Sequence, residues 1–223
     1  MSVRVAVLAS GSGSNLQAIL DHVESQGEAR AMTIALVASD RSASGALDRA
    51  RHHGVHALVL DATQRGDALA DVMTQHRIDV IALAGYLRFV PTRVTHRFRG
   101  RIVNIHPSLL PSFGGAGMYG MRVHEAVIAS GVRVTGATVH FVDEEFDRGP
   151  IIAQWPVPVF PDDSPEVLAA RVLVAEHALY PAALDAVARG RVTLGTDGRV
   201  HGLAVSPQWA TTPPAPPLVT TSQ

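Results

Sequence analysis

Short apolar runs, each followed by a stretch with apolar residues at helical spacing, recur through the first half of the chain, and this rhythm restricts its fold more than any other feature. Val3-Arg4-Val5-Ala6-Val7-Leu8-Ala9 leads into the turn Ser10-Gly11-Ser12-Gly13-Ser14-Asn15, after which Leu16, Ile19, Leu20 and Val23 return at helical intervals. The pattern continues with a strand at 32–38, a helix at about 44–53, a strand at 55–60, a helix at about 66–76, a strand at 78–84, a helix at about 91–98 and a strand at 101–106. Buried strands alternating with helices predict a parallel sheet wound on both faces through right-handed crossovers. Ligands of such a sheet sit beyond the carboxyl ends of its strands.

The second half changes rhythm. A Gly-rich loop at 107–121 precedes a helix at about 122–130 and strands near 135–142 and 150–159. Ser164-Pro165-Glu166 supplies an N-cap, a proline at the first helical position and an acidic first turn, opening a helix to about 189. Tyr180-Pro181 is expected to kink or interrupt it, and Gly190 to stop it. Val192-Thr193-Leu194 and Val200 flank a turn containing Asp197-Gly198, which suits a small hairpin. The fold class is therefore α/β, a doubly wound, mostly parallel sheet with mixed C-terminal strands. Residues 1–205 are read as one domain, and the Pro/Thr/Ser-rich tail at 206–223, which lacks a periodic apolar face, as disordered.

A chain of 223 residues can bury a substantial core, and 47% hydrophobic with 17% charged residues is the composition of a soluble globular protein. No apolar run is read as reaching the length of a bilayer span, so no membrane partner is expected. The N-terminus shows no secretory pattern, and the absence of cysteine removes disulfides, thiol nucleophiles and thiolate metal sites; both are consistent with a cytoplasmic location. A formal charge of −1 gives no general attraction to nucleic acid, which leaves small molecules as the expected partners.

The chemistry concentrates at the end of the strand at 101–106. Side chains alternate along a strand, so Asn104 and His106 share one face while Val103 and Ile105 share the other. Pro107 ends the strand where this polar pair emerges. A carboxamide and an imidazolium side by side can converge on one developing oxyanion. Thr138, His140 and Val142 share a face of a later strand, which runs into Asp143-Glu144-Glu145-Phe146-Asp147-Arg148-Gly149-Pro150. Most of these acids read as a solvated turn; Asp147 is the exception, held inward toward an imidazole that its charge would keep protonated. The turn Gly11-Ser12-Gly13-Ser14-Asn15 can present backbone N–H groups and a helix's positive end to a phosphate, or can be a tight turn capped by Ser14 or Asn15. Leu16 stands where a dinucleotide motif needs its third glycine, although Asp40 occupies the place of a ribose-binding acid. His52, His53 and His56 lack metal-ligand spacing, and Glu176-His177 falls within the late helix with no side assigned.

Gly11-Ser12-Gly13-Ser14-Asn15-Leu16-Gln17-Ala18, Ala84-Gly85-Tyr86-Leu87-Arg88, Asn104 through Pro111, Val139-His140-Phe141-Val142 and Asp147-Arg148-Gly149-Pro150-Ile151 together resemble the phosphoribosylglycinamide formyltransferases, folate-dependent enzymes of purine biosynthesis. The resemblance runs from Val3 to about Leu194 and implies a Rossmann-like formyltransferase fold. It implies transfer of a formyl group from 10-formyltetrahydrofolate, a co-substrate, to the amine of 5-phosphoribosylglycinamide, without a metal. By position, Asn104, His106 and Asp147 match the family's catalytic trio, with His106 as imidazolium and Asn104 stabilising the oxyanion while Asp147 orients the imidazole. Gly13, Ser14 and Asn15 match the phosphate turn and Glu176 a ribose-contacting acid. The folate contacts fall on Leu87, Arg88, Phe89 and Val90 and on Asp143, Glu144, Glu145, Phe146 and Asp147, with Arg65 toward the folate tail. The loop from Gly114 to Met121 is longer than the family's usual one, and its glycines permit a mobile lid. A homodimer is left open.

Two other readings compete. The formyltetrahydrofolate hydrolases and the formyltransferases acting on initiator methionyl-tRNA share the superfamily but normally carry an added N-terminal or C-terminal domain. A dinucleotide-binding redox or sensor module would rest on the first turn and Asp40, leaving Asn104 and His106 unexplained.

Overall fold

The computed structural model describes residues 2–202. Strands β1 (Val3–Leu8), β2 (Met32–Ser39), β3 (Ala57–Val59), β4 (Val80–Leu83), β5 (Ile102–His106), β6 (Val134–Phe141) and β7 (Ile151–Pro158) form one sheet in the order β3-β2-β1-β4-β5-β6-β7. The first five are parallel, whereas β6 runs antiparallel to both β5 and β7. The helices are α1 (Ser14–Ser25), α2 (Gly45–His52), α3 (Leu69–Gln75), α4 (Thr92–Arg97), α5 (Met121–Ser130) and α6 (Pro165–Ala188), and β8 (Val192–Leu194) pairs with β9 (Val200–Gly202) as a separate hairpin. The doubly wound, mixed sheet agrees with the expectation from periodicity. The predicted tail at 206–223 lies outside the described residues.

Alternation along the strands builds two cores. Val5 and Val7 of β1, Ala82 of β4 and Val103 and Ile105 of β5 pack with α1, α2, α5 and α6, while Ala6 and Leu8, Ile81 and Leu83, and Ile102 pack toward α3 and α4. Asn104 and His106 therefore share a face with Ile102, at the carboxyl end of the sheet. Between β1 and β4 the winding reverses direction, which opens the crevice where such sheets take ligands.

Three local expectations need correction. The helix expected at 66–76 opens as a 3-10 turn at Gly66–Ala68, because Gly66 has a φ of 65°, outside the helical region. Helix α6 runs unbroken through Pro181. Tyr180 and Pro181 are buried there, and Tyr180 Oη lies 3.0 Å from the carbonyl oxygens of both Leu83 and Val103, so packing and this anchor hold the helix across the missing backbone donor. By length and composition α6 also meets the requirement for a bilayer span, but it packs against α1, α5, β6 and β7 and serves as a core helix. Its start follows the expected chemistry: Ser164 Oγ accepts the N–H of Val167 at 3.3 Å, with Pro165 in the first turn.

Candidate active site

A cavity of about 380 Å³ opens at the carboxyl ends of β1, β4 and β5. At its centre the strand alternation and one tight turn bring Asn104, His106 and Asp147 together. Asp147 has a φ of 55°, a left-handed conformation that aspartate tolerates better than most residues, and this turns its carboxylate inward rather than to solvent. Its Oδ2 accepts the N–H of Gly115 at 2.9 Å and lies 3.5 Å from His106 Nδ1. Its Oδ1 accepts from Asn104 Nδ2 at 3.4 Å and lies 3.7 Å from His140 Nε2. Register explains the fourth member: Asn104 of β5 pairs directly with His140 of β6, and Asn104 Nδ2 is 3.1 Å from His140 Nε2.

Hydrogen bonds fix the imidazole tautomers. His140 Nδ1 faces the carbonyl of Phe141 at 2.7 Å and so carries hydrogen, which leaves Nε2 to accept from Asn104. His106 Nε2 faces the carbonyl of Phe113 at 2.8 Å and carries hydrogen likewise. Burial pushes the His106 pKa down, and it stays below the ordinary imidazole value although the Asp147 charge and the Phe113 carbonyl pull it up; His140 adds to the depression. Asp147 was expected to keep His106 protonated. Its effect has the expected sign, but desolvation of a ring that is only 4% exposed outweighs it. Burial would raise the Asp147 carboxyl, yet the neighbouring His140 and His106 imidazoles and the Gly115 N–H hold it below the usual carboxylate range.

The loop after β5 is pinned from below. Thr138 Oγ1 donates to Ser108 O at 2.6 Å and accepts the Leu110 N–H at 3.0 Å, while Gln154 Nε2 donates to Leu110 O at 2.9 Å. This fixes the Ser108-Leu109-Leu110 stretch and delivers Phe113 O to His106 and Gly115 N to Asp147.

Ser14, Asn15 and Glu176 line one end of the cavity. Helix α1 begins at Ser14 with Gly13 as its cap at φ 77° and no side-chain cap bond, so neither Ser14 nor Asn15 caps it and its first N–H groups stay unclaimed by a side chain. Gly13 does not line the cavity; a Cβ there would meet Ala46 Cα at 2.7 Å, so the residue is needed for the close approach of α2. Asn15 Nδ2 donates to Glu176 Oε2 at 2.6 Å. Burial pushes the Glu176 pKa up to about 7 against that bond.

Leu87, Arg88, Phe89, Val90, Asp143, Glu145 and Phe146 line the other end, where the rings of Phe89 and Phe146 meet edge to face at 5.2 Å. Glu144 is not in this wall; it pairs with His96 on the exterior. Arg65 lies outside the main cavity, in an adjoining groove that it shares with Tyr86, Arg88 and Phe89. Asp40 is not free to hold a ribose: its carboxylate, 2% exposed, accepts from Ser10 Oγ at 2.6 Å and Arg88 Nε at 2.9 Å. Ser10 Oγ in turn accepts the Leu87 N–H at 3.1 Å, which ties the ends of β1 and β4 together. His53 bonds Glu24 and Gln17, and His56 stacks on His76.

Residues 3–184 match the family model described as formyl transferase. Among solved structures, glycinamide ribonucleotide transformylase 1 from Symbiobacterium toebii superposes with a TM-score of 0.82 at 41% identity, over 91% of this chain and 94% of that one. The chain belongs to the phosphoribosylglycinamide formyltransferase family. The chloroplastic phosphoribosylglycinamide formyltransferase of Arabidopsis thaliana is 41% identical over 202 residues, 87% of this chain and 68% of the relative. Shares of other curated relatives fall to 14%, in trifunctional purine biosynthetic proteins of insects. A formyltetrahydrofolate deformylase from Pseudomonas syringae shares the fold at a TM-score of 0.80 and 27% identity, and the chain covers 66% of it. Within this formyltransferase, reading the sequence overlooked His140, the Gly115 N–H and the Phe113 carbonyl as partners of the trio. The pairing of Asn104 with His140 was within reach, because inward-facing polar side chains on neighbouring strands lower in energy when they meet.

Proposed function

We propose that this formyltransferase moves the formyl group of 10-formyltetrahydrofolate to the amine of 5-phosphoribosylglycinamide, yielding the N-formyl product and tetrahydrofolate. One observation carries this reading: a single cavity places Asn104, His106 and Asp147 between an uncapped helix start and an aromatic wall. The helix start and the N–H groups of Ser14 and Asn15 suit the acceptor's phosphate, with Gly13 shaping the turn and Glu176 reaching the ribose. Leu87, Phe89, Val90 and Phe146 suit a flat heteroaromatic ring, with the backbone around Arg88 and the Asp143 to Asp147 turn at its polar edge; Arg65, in the adjoining groove, suits an anionic tail. A chain without cysteine suits a reducing compartment, which supports the cytoplasm.

In the transfer, the amine nitrogen bonds to the formyl carbon, the bond from that carbon to the donor nitrogen breaks, and the proton leaving the amine ends on the donor nitrogen. His106 gives its Nε2–H to the developing oxyanion in place of Phe113 O, and negative charge there offsets the burial that depresses its pKa. Asn104 frees a second donor by exchanging its longer bond, the one at 3.4 Å to Asp147. Asp147 holds the His106 ring and, with a water, carries the proton between amine and leaving nitrogen.

Incubation with 10-formyltetrahydrofolate, with and without the acceptor, tests this. Formylated acceptor forming in step with tetrahydrofolate is expected. Donor deformylation at the same rate without acceptor would assign the chain the hydrolytic chemistry instead.

A further inference from the structure

We infer that Arg49 is a positioning residue that sets affinity for the acceptor's phosphate by bracing the Gly11–Asn15 turn from behind, without touching the ligand. The inference rests on the proposed role of that turn. Arg49 lies on α2, outside the cavity lining, and its guanidinium spans two partners: Nε donates to the carbonyl of Ser12 at 3.0 Å and Nη1 to Gln17 Oε1 at 2.9 Å. The preceding carbonyl, Gly11 O, is claimed by the same helix start, from Ser44 Oγ at 2.9 Å and the Ala46 N–H at 3.4 Å.

In a planar trans peptide the C=O and the following N–H point in opposite directions. Turning the carbonyls of Gly11 and Ser12 toward α2 therefore aims the N–H groups of Ser12 and Gly13 away from α2, in the turn that leads directly into Ser14 and Asn15 of the cavity lining. An anion receives several parallel N–H groups only while these peptides hold that orientation, and preorganised donors need no reordering when the ligand arrives. The cation matters as well as the fork. Lysine is absent from the sequence, and Ser14, Asn15, Leu173 and Glu176, which form this end of the cavity, bring no positive charge. Arg49 supplies one from the second layer. Its planar fork can hold Ser12 O and Gln17 together, which an ammonium on a flexible stem cannot do from one geometry.

The test compares kcat/KM for 5-phosphoribosylglycinamide and for its dephosphorylated riboside at saturating formyl donor. Wild type should prefer the phosphorylated acceptor. In R49M that preference should fall roughly tenfold through the KM of the phosphorylated acceptor, with kcat, riboside use and the donor KM unchanged, as for loss of a charge-assisted brace. R49K should recover part of the preference. If R49M does not fold, R49K decides the matter, with a fall of about threefold expected. A preference unchanged in R49M, or in R49K when that variant decides, overturns the inference while leaving the phosphate turn standing. So does an equal loss on both acceptors. Equal use of the two acceptors by wild type overturns the phosphate turn itself and the inference with it.

Discussion

Asn104 and His140 face each other across the antiparallel pair β5 and β6, with Asn104 Nδ2 3.1 Å from His140 Nε2, so an imidazole outside the proposed catalytic trio sets the orientation of the carboxamide within it. Removing that ring while keeping an apolar body, as in His140→Leu, leaves Asn104 with Asp147 as its partner. We expect kcat to fall by roughly 100-fold with acceptor KM changed little, and stability to fall by roughly 1–2 kcal/mol for the lost partner of a half-buried donor. Steady-state kinetics beside urea unfolding would measure both. Near-normal kcat would mean that Asn104 holds its orientation without His140.

Asp147→Asn removes the charge that opposes burial at His106. The His106 titration midpoint should therefore move to still lower pH, because burial, the largest influence, is then opposed only by the Phe113 carbonyl. Turnover should drop by roughly two orders of magnitude, with ligand binding affected less. NMR titration with single-turnover formyl transfer checks the pair of outcomes; an unmoved midpoint with normal turnover would remove Asp147 from the mechanism.

Glu176 links stability to pH in a direction opposite to most carboxylates. Its folded pKa of about 7 lies above the ordinary value of 4.5, so between these limits the unfolded chain releases a proton that the native chain keeps. Its contribution is complete below the lower value and is lost as pH rises through the interval. Glu176→Gln should remove that dependence, raising stability at pH 8 by roughly 1–3 kcal/mol while weakening acceptor binding. Denaturant unfolding at pH 5 and pH 8 would reveal it. Equal effects of the substitution at the two pH values would show that Glu176 is ionised throughout.

Gly13→Val confronts both a φ of 77° and the backbone of Ala46. The variant should bind the phosphorylated acceptor at least tenfold more weakly, with formyl donor affinity almost unchanged, since strain at this position reshapes only the phosphate end. Calorimetric titration of each ligand separates the two. Parallel loss of both affinities would make the turn a general support of the fold.

Much of this was legible because it depends on short-range rules. Alternation along β5 puts Asn104 and His106 on one face, and the apolar periodicity around Leu16, Ile19 and Leu20 marks the strand-turn-helix unit. What escaped depends on distant segments. The Phe113 carbonyl reaches His106 only after Thr138 and Gln154 have fixed the intervening loop, and no local spacing encodes that. The charge state of His106 sums burial over the whole fold against one carboxylate, so its neighbour Asp147 could be assigned a sign but not the outcome. Asp40 stands where a ribose-binding acid would, yet Arg88, far along the chain, had already claimed it.

Tyr180 lends its buried hydroxyl to the carbonyls of Leu83 and Val103, the first at the end of β4 and the second one residue before Asn104. Glu176 stands one helical turn upstream on the same rod. One helix bolted under the sheet thus gauges the distance between the ends of β4 and β5 and the carboxyl of Glu176, and so sets the width of the cavity floor.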